Sequence, residues 1–236
     1  EIYQCDWSSD VCSSDLLLDP AYLKLRAQLM GPTSLKQVPA GTPLRAQKSV
    51  YAPMPEQAEF GTSHISVIDA YGNALAMTTT IENAFGARQM VRGFLLNNEL
   101  TDFSFVPQDT QGRLIANRVQ ANKRPRSSMS PTLVFDKRTG ELLMSTGSPG
   151  GGMIIHFTTK TLLGVLHWGM TPQQAIDLPN FGALGDPMVV EEKRFSATTL
   201  QSLRARGAQV RDVALTSGLH TIVKLPKSDA PRHWIG

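Results

Sequence analysis

Residues 61–82 read GTSHISVIDAYGNALAMTTTIE. Within them, residues 64–69 alternate, with Ile65, Val67 and Ile68 as strand formers. Tyr71-Gly72-Asn73 is turn chemistry, and residues 74–81 make a second β-rich run. Two such runs around a short turn predict a β-hairpin. The hairpin opens on Gly61-Thr62-Ser63-His64. A threonine hydroxyl can attack the carbonyl that precedes it. If that bond breaks, Thr62 becomes an N-terminal residue whose hydroxyl is a nucleophile and whose α-amine is a base. The same four residues also read as a polar strand edge.

Downstream, residues 93–96 (GFLL) and 132–136 (TLVFD) look like further strands. Residues 137–140 (KRTG) are a turn, and residues 141–146 (ELLMST) pair with the strand before it. The Gly-rich loop 147–152 (GSPGGG) leads into residues 153–168, which carry apolar side chains all round and predict a helix buried on most sides, closed by Gly169. Thr171 caps the next helix, with Pro172 at its first position and Gln174 completing a capping box. Ser196 caps another that runs to Arg206, and residues 208–213 and 219–225 read as late strands. Upstream, Asp19 and Pro20 open a short helix over residues 19–30. Residues 31–60 sustain no period and read as a long loop. The order of elements predicts an α+β architecture, with helices packed on antiparallel sheets.

The chain has 236 residues, 41% of them hydrophobic and 18% charged, with a net charge of +3. That composition is globular, and the charge is too small to imply nucleic acid. No apolar run is long enough for a membrane span. Cys5 and Cys12 are the two cysteines, too few for a disulfide framework or a cysteine zinc site. Both fall in residues 1–16 (EIYQCDWSSDVCSSDL), which resemble translated adapter sequence and are expected to be non-native. The five histidines (His64, His156, His167, His220 and His233) show no metal-ligand spacing, and His156 and His167 read as packing residues on the apolar helix.

Three further segments carry chemistry. Glu99 and Asp102 follow an apolar strand and are suited to hold an ammonium, or to face solvent in a turn. Metal is the weaker reading, because no histidine lies near them. Residues 123–131 (KRPRSSMSP) join three basic side chains to a run of hydroxyls. That pattern suits a carboxylate or phosphate, or a basic surface loop. In the loop 147–152, glycines let the backbone approach a ligand, and N–H groups at a helix start favour an oxyanion. No Walker lysine follows, so a nucleotide loop is not indicated.

Taken together and in order, these segments resemble the γ-glutamyltranspeptidase (glutathione hydrolase) family of N-terminal-nucleophile hydrolases. The resemblance rests on Thr62-Ser63-His64, Thr78 to Glu82, Phe85-Gly86, Leu95 to Glu99 with Asp102 to Ser104, Arg124-Pro125 with Ser127 to Pro131, and Gly147 to Gly151. It implies an αββα sandwich and a precursor that cuts itself between Gly61 and Thr62. Residues 17–61 would then be the tail of a large subunit, and residues 62–236 a small catalytic subunit cut short at its C-terminus.

By the same resemblance Thr62 is the nucleophile and Thr80 the second threonine that supports processing. Glu99 and Asp102 bind the donor's α-amino group, Ser127 and Ser128 its α-carboxylate, and Gly150 and Gly151 form the oxyanion hole. No metal or organic cofactor is implied. The expected partners are a glutathione-like γ-glutamyl donor, a water or amino-acid acceptor, and the large subunit of the same precursor. A periplasmic or secreted location is implied too.

Two positions depart from the family pattern. Glu82 stands where many members have asparagine, so three acids would surround one cation. Gly152-Met153 replaces a polar pair. A glutaryl or cephalosporin-type acylase on the same scaffold and a non-catalytic binding module are the alternative functions.

Overall fold

The computed structural model describes residues 16–43, 50–55, 61–215, 217–225 and 234–236. Residues 1–15, with both cysteines, and His233 lie outside them. Helix α1 (Pro20–Ala27) comes first. The hairpin β1 (Thr62–Ile68) and β2 (Ala74–Thr80) follows, then a small ribbon of β3 (Met90–Val91) and β4 (Phe94–Leu95). Next come β5 (Thr132–Phe135), β6 (Leu142–Gly147), α2 (Ile154–Leu166) and α3 (Pro172–Asp177). The last part holds β7 (Phe181–Gly182), β8 (Met188–Glu191), α4 (Ala197–Ala205), β9 (Val210–Val213), β10 (His220–Lys224) and β11 (Trp234–Ile235).

The sequence signals act as expected at several element ends. Asp19 accepts hydrogen bonds from the backbone N–H groups of Ala21 and Tyr22 at the start of α1. Thr171 and Gln174 form a complete capping box on α3, and Ser196 caps α4. Asp69 holds the hairpin turn by accepting from the backbone of Tyr71 and Asn73.

The architecture is built from stacked layers. Strands β11, β10, β6 and β5 form a four-stranded antiparallel sheet in that order. The hairpin lies on one face of it: Ser145 Oγ donates to the Leu75 carbonyl at 3.2 Å, and the His64 ring rests against Gly147. Alternation along β6 turns Met144 and Thr146 the other way, toward the layer of α2 and α3. There Ile154, Phe157, Thr158 and Thr161 of α2 are buried.

Toward the Thr62 end the inner face of the hairpin is polar, giving way to Ile68, Ala74 and Ala76 at the turn end. Thr62, His64 and Ser66 on β1 share it with Thr78 and Thr80 on β2, while Ile65, Val67, Leu75 and Met77 face outward at 40–46% exposure. The apolar alternation therefore does not point at the sheet it packs on.

Two expectations are corrected. Helix α2 is not buried on most sides: Ile155, Leu163 and Leu166 are about half exposed, as is Trp168 just beyond it. A helix on the outer layer has one covered face, and apolar side chains on its other face read as burial in a one-dimensional pattern. The sheets are also not wholly antiparallel. β7, β8 and β9 form a three-stranded sheet in which β8 and β9 run parallel, joined through α4. Strands β7 and β8 are short and have no alternation to reveal them.

The described residues of the loop before the hairpin, 31–43 and 50–55, form no helix or extended strand, but they are pinned. Ser34 N donates to Arg206 O at 2.7 Å, and Ala52 bridges to Ile115 with both residues buried.

Candidate active site

Antiparallel register sets Thr62 directly opposite Thr80. Both side chains point to the inner face, so their hydroxyls meet. Thr62 Oγ1 donates to Thr80 Oγ1 at 3.5 Å, and Thr80 Oγ1 donates to the carbonyl of Gly61 at 2.5 Å. Thr80 Oγ1 also accepts from the backbone N–H of Glu82 at 2.8 Å. A relay thus runs from the Thr62 hydroxyl through Thr80 to the carbonyl that Thr62 would attack. Gly61 itself takes φ +54°, and a Cβ there would stand 2.7 Å from the Glu82 carbonyl. Only glycine fits that bend without strain.

Beyond Thr80 the chain turns at Glu82, which sits in the left-handed region (φ +67°) and is buried. That turn sends its carboxylate toward Glu99 and Asp102, at the two ends of a one-turn 3-10 helix. Carboxylate oxygens of the three acids all lie within 4.8 Å of one another. Glu99 Oε2 is buried and accepts no hydrogen bond from the described residues. Burial and then the Asp102 charge raise the pKa of Glu99, and burial raises that of Asp102. Three acids kept this close call for a cation, either an ammonium or a hard metal ion.

The glycine loop follows β6, two strands from the sheet's edge strand β11. Gly150 has φ +138°, and a Cβ on it would stand 2.6 Å from the Phe157 ring. Gly151 opens a short 3-10 turn that runs into α2. Met153, one of the two departures, packs on Gly182 of β7.

Ser127 is exposed, and its hydroxyl accepts from Met129 N at 3.2 Å; Ser128 is half buried. This segment is tied to the helical layer by Ser130 Oγ, which donates to Thr158 Oγ1 at 3.4 Å. It then enters β5, paired with β6. Hydrogen bonds therefore join Thr62, Thr80, Gly61 and Glu82 in one relay, and Glu82, Glu99 and Asp102 form one cluster. The segment of the two serines and the loop of the two glycines are connected through the β5–β6 pair and α2. Of the basic run, Lys123 is committed locally: it donates to Ala116 O at 2.8 Å and stands over the Tyr51 ring.

A family model described as γ-glutamyltranspeptidase matches residues 5–235. The chain belongs to the γ-glutamyltranspeptidase family. It is 37% identical over 206 residues to the glutathione hydrolase proenzyme of Bacillus subtilis subsp. natto, covering 84% of this chain and 31% of that protein. It is 40% identical over 157 residues to the glutathione hydrolase proenzyme of Escherichia coli K12, covering 63% and 27%. Among solved structures, a mutant of the Helicobacter pylori γ-glutamyltranspeptidase matches with a TM-score of 0.65 at 33% identity, over 73% of this chain and 95% of that one. The N-terminal-nucleophile fold is thereby shown. The chain spans about a third or less of the length of these curated relatives.

Sequence reading gave no structural role to two residues that pack beside these groups. His64 is buried on the inner face, with Nδ1 2.8 Å from Thr78 Oγ1 and Nε2 3.1 Å from Ser66 Oγ. Its position two residues from Thr62 on the same strand face was the available signal. Asn117 lies in a stretch with no period, and nothing in the sequence marks it.

Proposed function

We propose that this chain is the catalytic part of a self-processing γ-glutamyl hydrolase and transferase. The observation that carries the reading is the Thr62–Thr80–Gly61 relay. The Thr62 hydroxyl attacks the Gly61 carbonyl carbon while Thr80 polarises its oxygen. A C–O bond forms, the C–N bond breaks, and the hydroxyl proton passes to the leaving α-amine. Water then hydrolyses the ester, which frees Thr62 as an N-terminal residue. Residues 17–61 become the end of one subunit and Thr62 the start of another, in keeping with relatives named proenzymes.

In the processed enzyme Thr62 attacks the γ-carbonyl of the donor, with its own amine as base. The N–H groups of Gly150 and Gly151 hold the oxyanion. Glu99 and Asp102, with Glu82, hold the donor's α-ammonium, while Ser127 and Ser128 receive its α-carboxylate. Water or an amino acid then takes the γ-glutamyl group. The acid cluster favours an ammonium-bearing donor over a glutaryl one, since glutaryl offers no positive charge to three carboxylates. The site needs no cofactor for these steps. Among the described residues no helix is long and apolar enough to cross a membrane. A periplasmic or secreted location is the one we propose.

The test is turnover of γ-glutamyl and glutaryl anilides by the full-length protein that carries this chain. Release from the γ-glutamyl anilide, lost on Asp102→Ala, is the expected result. Faster turnover of the glutaryl anilide, unaffected by Asp102→Ala, would overturn the assignment in favour of an acylase.

A further inference from the structure

Glu82, Glu99 and Asp102 repel one another when ionised, and the 3-10 helix that carries two of them is a single turn. Such a turn has little stiffness of its own. What holds its end is Asn117. Its side-chain Nδ2 donates to the Asp102 carbonyl at 2.6 Å, and its own carbonyl accepts from Ser104 N at 2.8 Å. Side chain and backbone of one residue thus bracket Asp102, Phe103 and Ser104, all three buried.

The second amide hydrogen of Asn117 is also used, on Met54 Sδ at 3.0 Å. With both hydrogens engaged, the amide has one orientation. Asn117 is in turn fixed by its neighbour Ile115, fully buried and bridged to Ala52. The acid cluster therefore rests on a support that includes the segment before the Gly61–Thr62 bond.

We propose that Asn117 is a positioning residue for Asp102, setting where the donor's ammonium binds without touching the donor. This rests on the γ-glutamyl reading above. A carboxylate displaced by a fraction of an ångström loses a directed ion pair, and ground-state and transition-state binding of the ammonium fall together. KM then rises while kcat holds.

The test uses the full-length protein with Asn117→Ala and Asn117→Leu, the latter keeping the side chain's bulk without its donors. Self-cleavage at Gly61–Thr62 does not involve Asp102, so its completion certifies that each variant has folded. Donor KM should rise about tenfold in both variants, with kcat changed less than about threefold. In an Asp102→Ala background, Asn117→Ala should add no further loss, because the two act on one contact.

An unchanged KM, a fall in kcat alone, or a loss that adds fully to that of Asp102→Ala would overturn the positioning role. So would loss of self-cleavage in both variants, which would make Asn117 a residue of the fold at large. A wild-type protein that cleaves itself yet turns over no γ-glutamyl donor would instead overturn the functional reading, and this assignment with it.

Discussion

His64 makes the stability of the strand that carries Thr62 depend on pH. The residue is 3% exposed, packed between the hairpin and the sheet, and its ring meets that of His220 edge-on with centroids 6.2 Å apart. Burial, and then the charge of His220, hold its pKa down from 6.5 to about 4. The unfolded chain therefore binds a proton between pH 6.5 and 4 that the folded chain refuses. Stability is full above pH 6.5, falls as pH drops through that window, and has lost the whole contribution below pH 4. The gap amounts to about 3 kcal/mol, of which about 2 kcal/mol is gone by pH 5. The perturbation is His64→Gln, which keeps a hydrogen-bonding side chain and cannot titrate. The assay is urea unfolding of the full-length protein at pH 7.5 and pH 5.0. Wild type should lose about 2 kcal/mol more than the variant between the two conditions. Equal losses would refute the reasoning, as would a ring that titrates near 6.5 by NMR.

Thr80→Ala should slow self-cleavage about a hundredfold or more, since one hydroxyl both polarises Gly61 and receives the Thr62 hydrogen bond; a mass-resolved time course checks it. Gly150→Ala should lower both Tm and γ-glutamyl turnover, because the new Cβ would press on the Phe157 ring at a φ that side chains avoid; a variant with wild-type Tm and rate would show the loop is not built as described. The raised pKa values of Glu99 and Asp102 mean that ammonium binding is lost at a higher pH than ordinary carboxylates would give. Donor KM should accordingly climb at that higher pH, and Glu82→Gln, which removes one repelling charge, should shift that climb to lower pH.

The hairpin, the β5–β6 pair and the capped helices were legible because each has a local signature: alternation, a turn, or a cap within four residues. The candidate site residues stood out only as an ordered set of motifs, through the family resemblance; the register that sets Thr62 opposite Thr80 is visible only in the structure. What was hidden depends on contacts far apart in sequence. His64 reads as one more polar strand residue until β6 packs on it. Asn117 matters through Asp102, fifteen residues earlier, and Met54, sixty-three residues earlier. The outward apolar face of the hairpin inverts the usual rule, because the inward face at the Thr62 end carries hydroxyls and an imidazole. The parallel β8–β9 pair was missed because β8, Met188 to Glu191, shows no alternation to mark it as a strand, although β9 was read as a late strand.

The central claim is that Thr62 frees its own amine. Intact mass and N-terminal sequencing of the purified full-length protein test it most directly. The account predicts two fragments, one beginning at Thr62, and a single unbroken chain in Thr62→Ala. A folded wild-type chain that stays unbroken between Gly61 and Thr62, or a Thr62→Ala variant that still breaks there, would contradict it.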